Sequence, residues 1–362
     1  MKMGLVGFPT VGKTTLFNIL TDARAETSRF GTSPRAESHV GVAKVPDERL
    51  TRLAALFKPK KVTPATIEYV DVAGLRRGDA DSGLALADLR NADALLHVVR
   101  AFEDADLVHS EGEVNPARDI DTMEMSLILS DLDIAQKRRE RLQLSIRKTK
   151  RPEEQKELEL VERTLEALAA EKPLRGEVFS PQEQKILRGF AFLSARPILH
   201  LINMGEDDMG HLADFREHFG LAEPGRRPGT GLLPLSARLE QEIAELPAAD
   251  AADFQSDLGI PEPCRPRVIR ASYELLGLIS FFTVGEDECR AWSIPRGTPA
   301  RRAAAAIHSD IEKGFIRAET GVASELLAAG SLAALREKAG LRLEGKEYEV
   351  QDGDVINFRF NV

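Results

Sequence analysis

Residues 7–14 read Gly7-Phe8-Pro9-Thr10-Val11-Gly12-Lys13-Thr14 and fit the pattern G-x-x-x-x-G-K-[ST] at every defined position. Gly7 and Gly12 permit backbone angles that other residues resist, so the loop can curl with its N–H groups pointing inward. Those N–H groups, from Gly7, Thr10, Val11, Gly12, Lys13, Thr14 and Thr15, and the start of the following helix would cradle a β-phosphate. The Lys13 ammonium is expected between β- and γ-oxygens, with the Thr14 hydroxyl on Mg2+. The flanks supply the required setting: Met3 to Val6 reads as a buried strand, and Thr14 to Leu20 as a helix with one apolar face.

A second landmark follows downstream. The β-rich run Thr66-Ile67-Glu68-Tyr69-Val70 ends in Asp71-Val72-Ala73-Gly74, so a D-x-x-G sequence sits at the carboxyl end of a strand. Asp71 is expected to hold the metal through water, and the Gly74 N–H to sense the γ-phosphate. Between the two motifs lies the turn-rich stretch Arg29-Phe30-Gly31-Thr32-Ser33-Pro34, where Thr32 is the candidate to close on the metal and Ser28 and Ser33 compete with it. Further strands are expected at Ala94 to Val99 and at Pro197 to Ile202. In the first, His97 reads as a satisfied core histidine. The second delivers Asn203-Met204-Gly205-Glu206 to the carboxyl edge, where open α/β sheets bind ligands. Leu232 to Leu235 leads into Ser236-Ala237, a candidate backbone contact to a nucleotide base.

Composition bounds these readings. A chain of 362 residues with 43% hydrophobic residues can build two or three cores without staples. Its two cysteines, Cys264 and Cys289, form no CxxC and suit a reducing compartment. No stretch approaches the roughly 18 apolar residues of a membrane span, and no signal-peptide core is seen, so a cytoplasmic location without membrane contact is the expectation. A net charge of -9 disfavours wholesale wrapping of nucleic acid but leaves room for a local basic patch.

From Asp121 to about Leu193 the chain reads as helix. Leu158, Val161, Leu165 and Leu168 recur at steps of three and four, and Arg151-Pro152 marks a reversal into an antiparallel coiled-coil hairpin. Lys137 to Arg151 holds eight basic residues and one acidic residue, which reads either as an RNA-phosphate contact or as a solvated helix face. After Leu278 a hairpin (Ile279 to Val284, Arg290 to Ile294), a helix (Pro299 to Ile307) and strands at 316–320, 341–343, 348–350 and 355–360 make a small α+β domain, with Trp292 in its core.

The order of P-loop, D-x-A-G, N-x-x-E and S-A resembles the YchF branch of the Obg-like nucleoside triphosphatases. Val98-Val99-Arg100-Ala101-Phe102-Glu103-Asp104, Pro116 to Ile120, Ile307 to Asp310, Gly314 to Glu319 and Asp352 to Val362 extend that resemblance over nearly the whole chain. It implies a P-loop NTPase core of Ras-like G-domain type at 1–118 and 196–275, a helical coiled-coil insertion at 119–195, and a C-terminal β-grasp (TGS) domain at 276–362. It also implies a slow, Mg2+-dependent switch that prefers ATP to GTP and engages the ribosome through the hairpin and tail domain.

The residues bear on base choice independently. Where guanine-specific relatives carry N-K-x-D, this chain has Met204 for the lysine and the longer Glu206 for the aspartate, a mismatch worth on the order of 1–3 kcal/mol when buried. An adenine amine needs only an acceptor, which Asn203 or a backbone carbonyl near Met204 could supply. A GTP-preferring enzyme and a nucleotide-gated binding module with negligible hydrolysis are the competing expectations. Leu75 stands where Ras-type switches place a water-orienting glutamine, so no catalytic residue is assigned and turnover is expected to be slow. Three departures from the family stand out: Thr10 replaces the usual asparagine, the segment after Leu75 is shorter and less glycine-rich than usual, and Ser33 to His39 depart from the switch pattern, with Thr32 still aligned to its metal threonine. A small-metabolite kinase is disfavoured, because no arginine-rich lid is apparent.

Overall fold

The computed structural model describes residues 1–21, 39–71, 89–107, 109, 112–149 and 151–361. Thr32, Gly74 and Leu75 lie outside the described residues. In chain order the described strands are β1 (Lys2–Val6), β2 (His39–Lys44), β3 (Lys61–Thr63), β4 (Thr66–Asp71), β5 (Ala94–Ala101), β6 (Ile198–Met204), β7 (Thr230–Leu235), β8 (Leu278–Thr283), β9 (Glu288–Pro295), β10 (Phe315–Val322), β11 (Arg342–Glu344) and β12 (Asp354–Phe360). The helices that matter most here are α1 (Lys13–Thr21), α2 (Glu48–Phe57), α3 (Pro116–Thr149) and α4 (Pro152–Ala169). Two compact units result: Met1–Gly41 with Glu68–Ala271, and Val42–Ile67 with Ser272–Val362.

The first unit is built on a sheet of order β2-β4-β1-β5-β6-β7. β4, β1, β5, β6 and β7 pair in parallel. A parallel sheet must be covered on both faces, which is why every residue of β5 and of β6 is buried and both are mostly apolar, broken by His97 and Arg100 in β5 and by His200 and Asn203 in β6. β1 lies between β4 and β5, so the strand order reverses there and a crevice opens at its carboxyl end. Gly7 to Gly12 occupies that position, and α1 leaves it with Leu16, Phe17 and Leu20 buried against the sheet.

The expected helical hairpin is present in this unit. Pro152 sits in the first turn of α4, where a missing N–H costs nothing, and α3 and α4 pack side by side. Leu158, Val161, Leu165 and Leu168 are buried with Ile128, Ala135 and Leu142 of α3, so the seam read from the sequence is the interface. Asp131 of α3, fully buried, accepts hydrogen bonds from Leu193 N (3.0 Å), Ser194 N (2.7 Å) and Arg90 Nη1 (3.1 Å). These three donors compensate a carboxylate whose burial pushes its pKa up.

The second unit holds a mixed sheet of order β11-β10-β12-β8-β9-β3. Its core joins Ile279, Phe281, Ile294, Phe315, Ile356 and Phe358 to the alanine face of helix Ala300–Ile307. Trp292 is half-buried against that core, and its Nε1 donates to Thr283 Oγ1. Two features differ from the sequence reading. The expected strand at 348–350 is only an isolated bridge between Glu349 and Pro299. Its backbone groups are used elsewhere: Ala300 N donates to Tyr348 O at 2.7 Å, and Val350 N to Thr298 O at 3.1 Å, so they anchor a helix start rather than a ladder. Residues 42–67, placed by sequence with the nucleotide core, pack with residues 272–362, and β3 pairs in parallel with β9.

Candidate functional site

The loop after β1 has the backbone its glycines predict. Gly12 takes φ +95°, and a Cβ there would lie 2.6 Å from Asn203 Nδ2. A Cβ on Gly7 would meet Val98 O at 2.7 Å. Thr10 adopts φ 62°, a left-handed conformation that a β-branched residue resists, and its hydroxyl donates to Pro9 O at 2.7 Å. The usual asparagine tolerates that conformation better, so the departure at Thr10 places strain in the loop.

Lys13 is 9% exposed, and its ammonium donates to Gly7 O (2.9 Å) and Phe8 O (3.2 Å), folded back over the loop. Burial lowers its pKa to about 8 against the opposing pull of Asp71. The Thr14 hydroxyl donates to Asp71 Oδ2 at 3.3 Å across the β1–β4 boundary. Burial pushes the Asp71 pKa up, while Lys13 and Thr14 hold it down. A hydroxyl and a carboxylate side by side form a hard oxygen donor set, and a desolvated carboxylate gains from a divalent cation. The pair therefore fits Mg2+.

Asn203, at the end of β6, is a brace. Its Nδ2 donates to Val11 O (2.9 Å), and its Oδ1 accepts from Ala237 N (2.8 Å), tying the phosphate loop to the start of the helix after β7. The acceptor expected to face a base is thus already engaged. Met204 sends its side chain into the apolar cluster with Val99, Ile120, Ile202 and Phe215, which leaves only its backbone for a base contact. Glu206 is exposed beyond the strand, whereas Ser236 is buried at the helix N-cap. The structure therefore brings Lys13, Thr14, Asp71, Asn203 and Ala237 to one sheet edge.

One strand away lies a polar pair that the sequence reading did not join. His97 and His200 face each other in the β5–β6 register, both fully buried, with Nδ1 atoms 2.9 Å apart. Burial holds both rings neutral, bringing His97 to about 3 and His200 well below its usual value. One ring must donate and the other accept, and among the described residues neither Nε2 has a hydrogen-bond partner. His200 Nε2 lies 3.9 Å from Glu124 Oε1 of α3, which Arg175 engages. The signal was available: His97 and His200 each interrupt the middle of an apolar run.

Part of the basic run on the arm is neutralised locally. Arg138 makes a two-pronged pair with Glu157 at 2.8 Å for each contact, and Lys137 pairs with Asp133 at 2.7 Å. Arg141, Arg147 and Lys148 are exposed and carry no ion pair among the described residues. No described helix is long and apolar enough to cross a membrane.

Comparisons with known proteins agree with this architecture. A family model described as 50S ribosome-binding GTPase matches residues 2–131, and YchF-GTPase_C, described as a protein of unknown function, matches residues 278–361. The chain is 41% identical over 366 residues to the Ribosome-binding ATPase YchF of Bacillus subtilis, covering 100% of both. It is 37% identical to Obg-like ATPase 1 of rice (Oryza sativa subsp. japonica), covering 100% of this chain and 92% of that one. The solved Schizosaccharomyces pombe YchF GTPase superposes with a TM-score of 0.83 at 28% identity, over 99% of this chain and 97% of that one. With a phosphate loop at the switch point of a parallel sheet, a helical hairpin inserted between β5 and β6, and full-length identity of this order, the chain belongs to the YchF family.

Proposed function

We propose that this chain is a Mg2+-dependent nucleoside triphosphatase that prefers ATP to GTP and works in the cytoplasm as a slow, ribosome-associated switch. The observation that carries the reading is the convergence of Lys13, Thr14 and Asp71 at the carboxyl edge of β1 and β4. Backbone N–H groups from Gly7 to Thr15 would hold the β-phosphate. The Lys13 ammonium, now spent on Gly7 O and Phe8 O, would turn to the β- and γ-oxygens and exchange two neutral acceptors for charged ones. Thr14 and Asp71 would hold the metal, which when bound neutralises charge on the β- and γ-phosphates. Thr32 would close on the metal, and the Gly74 N–H would sense the γ-phosphate.

The base edge supports ATP. Asn203 is occupied as a brace and the Met204 side chain is buried, so the base meets backbone near Met204 and the Ser236-Ala237 turn, with exposed Glu206 at the rim. Backbone carbonyls suit an adenine amine. The relatives named ATPases point the same way, whereas the GTPase descriptions of the first family model and of the Schizosaccharomyces pombe protein favour GTP as the second reading. The exposed cations Arg141, Arg147 and Lys148 would meet ribosomal RNA phosphates. Titration with fluorescent ADP and GDP decides base choice: ADP binding at least about tenfold tighter is expected, a difference of about 1.4 kcal/mol. GDP binding tighter than ADP overturns the preference.

A further inference from the structure

Residues 42–67 are flanked on both sides by the first unit yet belong to the second. The attachment is built from several independent contacts. β3 pairs with β9 from Lys61↔Glu288 to Thr63↔Arg290, and Lys60 N and Lys61 N donate to Glu286 O (3.0 Å) and Asp287 O (3.1 Å). α2 packs on β9 and on helix Ala323–Ala329. Arg49, in the first turn of α2, closes the arrangement. Its guanidinium donates to both oxygens of the N-cap Asp47 (3.0 and 2.8 Å) and to Asp352 Oδ2 (2.7 Å), and sits 5.2 Å over the Phe282 ring. Asp352 Oδ1 in turn accepts from Ser280 N at 2.9 Å.

The same stretch ends four residues before the metal-site carboxylate. Within β4, Thr66 and Ile67 fall in the second unit, whereas Glu68 to Asp71 pair with β1 and end beside Thr14. Thr66 to Asp71 form one uninterrupted strand, so the strap and the metal-site carboxylate are joined with no intervening loop.

We propose that residues 42–67 are a strap through which the second unit reads nucleotide occupancy, with Arg49 as the positioning residue that fixes the strap to β8 and to the turn before β12. The proposal rests on the nucleotide reading above. Its thermodynamic consequence is reciprocal: a partner that binds the second unit changes nucleotide affinity by the same factor by which nucleotide changes that partner's affinity. The strap thus gives the second unit a regulatory role that its own residues, free of any catalytic constellation among those described, do not otherwise suggest.

The test is hydrogen exchange on the full chain with and without a non-hydrolysable Mg-ATP analogue, paired with titration of fluorescent ADP on the same samples. In the unmodified chain, exchange of amides 60–63 and 286–290 is expected to change by at least about threefold on saturation. Lys13→Ala should abolish that change. Arg49→Met should cut it to less than about half while leaving nucleotide affinity within about threefold, a dissociation that a merely stabilising contact would not produce. Should Arg49→Met lose its fold, Asp352→Asn removes the charge pair, keeps an acceptor for Ser280 N and gives the same readout. Nucleotide binding with unchanged exchange in the second unit, or a full change retained in both variants, overturns the strap. Failure of the unmodified chain to bind nucleotide removes the nucleotide reading and the strap together.

Discussion

Two polar clusters lie one strand apart in the first sheet and are held in opposite ways. Lys13, Thr14 and Asp71 gather at the open end of β1 and β4, where the lysine donates to two loop carbonyls and the carboxylate accepts a long hydrogen bond from a hydroxyl. His97 and His200 sit in the closed middle of β5 and β6, locked to each other at 2.9 Å, with both outer nitrogens unpartnered among the described residues. Burial displaces the pKa values of both clusters. At the edge the charged groups stay within reach of an incoming anion and cation. In the middle there is no access, and neutrality is the only stable state. A displaced pKa alone therefore does not mark a site: access to ligand separates the two.

Substitutions should break the symmetry between the clusters. The largest effect is expected from Lys13→Ala, which should weaken Mg-ATP binding by at least about 100-fold through the loss of charge-assisted hydrogen bonds while leaving the melting transition in place. Calorimetry and thermal unfolding on the same sample check both halves. His200→Leu should do the reverse, destabilising the fold by about 1–3 kcal/mol because His97 Nδ1 loses its partner, with nucleotide affinity little changed. The double substitution His97→Leu with His200→Leu should cost less than the sum of the singles, since no polar atom of the pair is then stranded. Urea unfolding of the three variants measures this, and simple additivity would contradict the pairing.

Acid sharpens the contrast. Both histidines are neutral in the fold and protonate near 6.5 when unfolded, so the unfolded state binds more protons below that pH. Their contribution is fully present above about pH 6.5 and falls by about 1.4 kcal/mol per pH unit per histidine as pH drops toward the folded value, near 3 for His97. The double leucine variant should lose that slope. The smallest effect expected is a gain: Thr10→Asn relieves a left-handed β-branched residue at φ 62° and should stabilise the protein by about 1 kcal/mol. An unchanged unfolding midpoint would show that the loop holds no such strain.

What could be read from the sequence depended on how local the cause was. The phosphate loop, α1, the D-x-x-G strand and the coiled-coil seam declare themselves within a few residues, because turn chemistry and side-chain period act over short spans. The brace role of Asn203 was hidden, since its partners Val11 and Ala237 lie 192 and 34 residues away and only the packed sheet brings them together. The histidine pair needed the register of two parallel strands whose members are 103 residues apart. Residues 42–67 have ordinary helix and strand patterns, and no local signal says which core a three-residue strand such as β3 will join.

The central claim, that the loop from Gly7 to Thr15 grips a triphosphate through Lys13, is tested most directly by calorimetric titration of Mg-ATP at about pH 7 and about pH 9. With the free lysine at about 8, the ammonium is mostly present at the lower pH and mostly absent at the higher. Binding an anion restores its charge, so the complex takes up a proton and affinity should fall roughly tenfold across that interval. Lys13→Ala should show neither the binding nor its pH dependence. Absence of binding at millimolar Mg-ATP at both pH values, or equal affinity in the Lys13→Ala variant, would contradict the account.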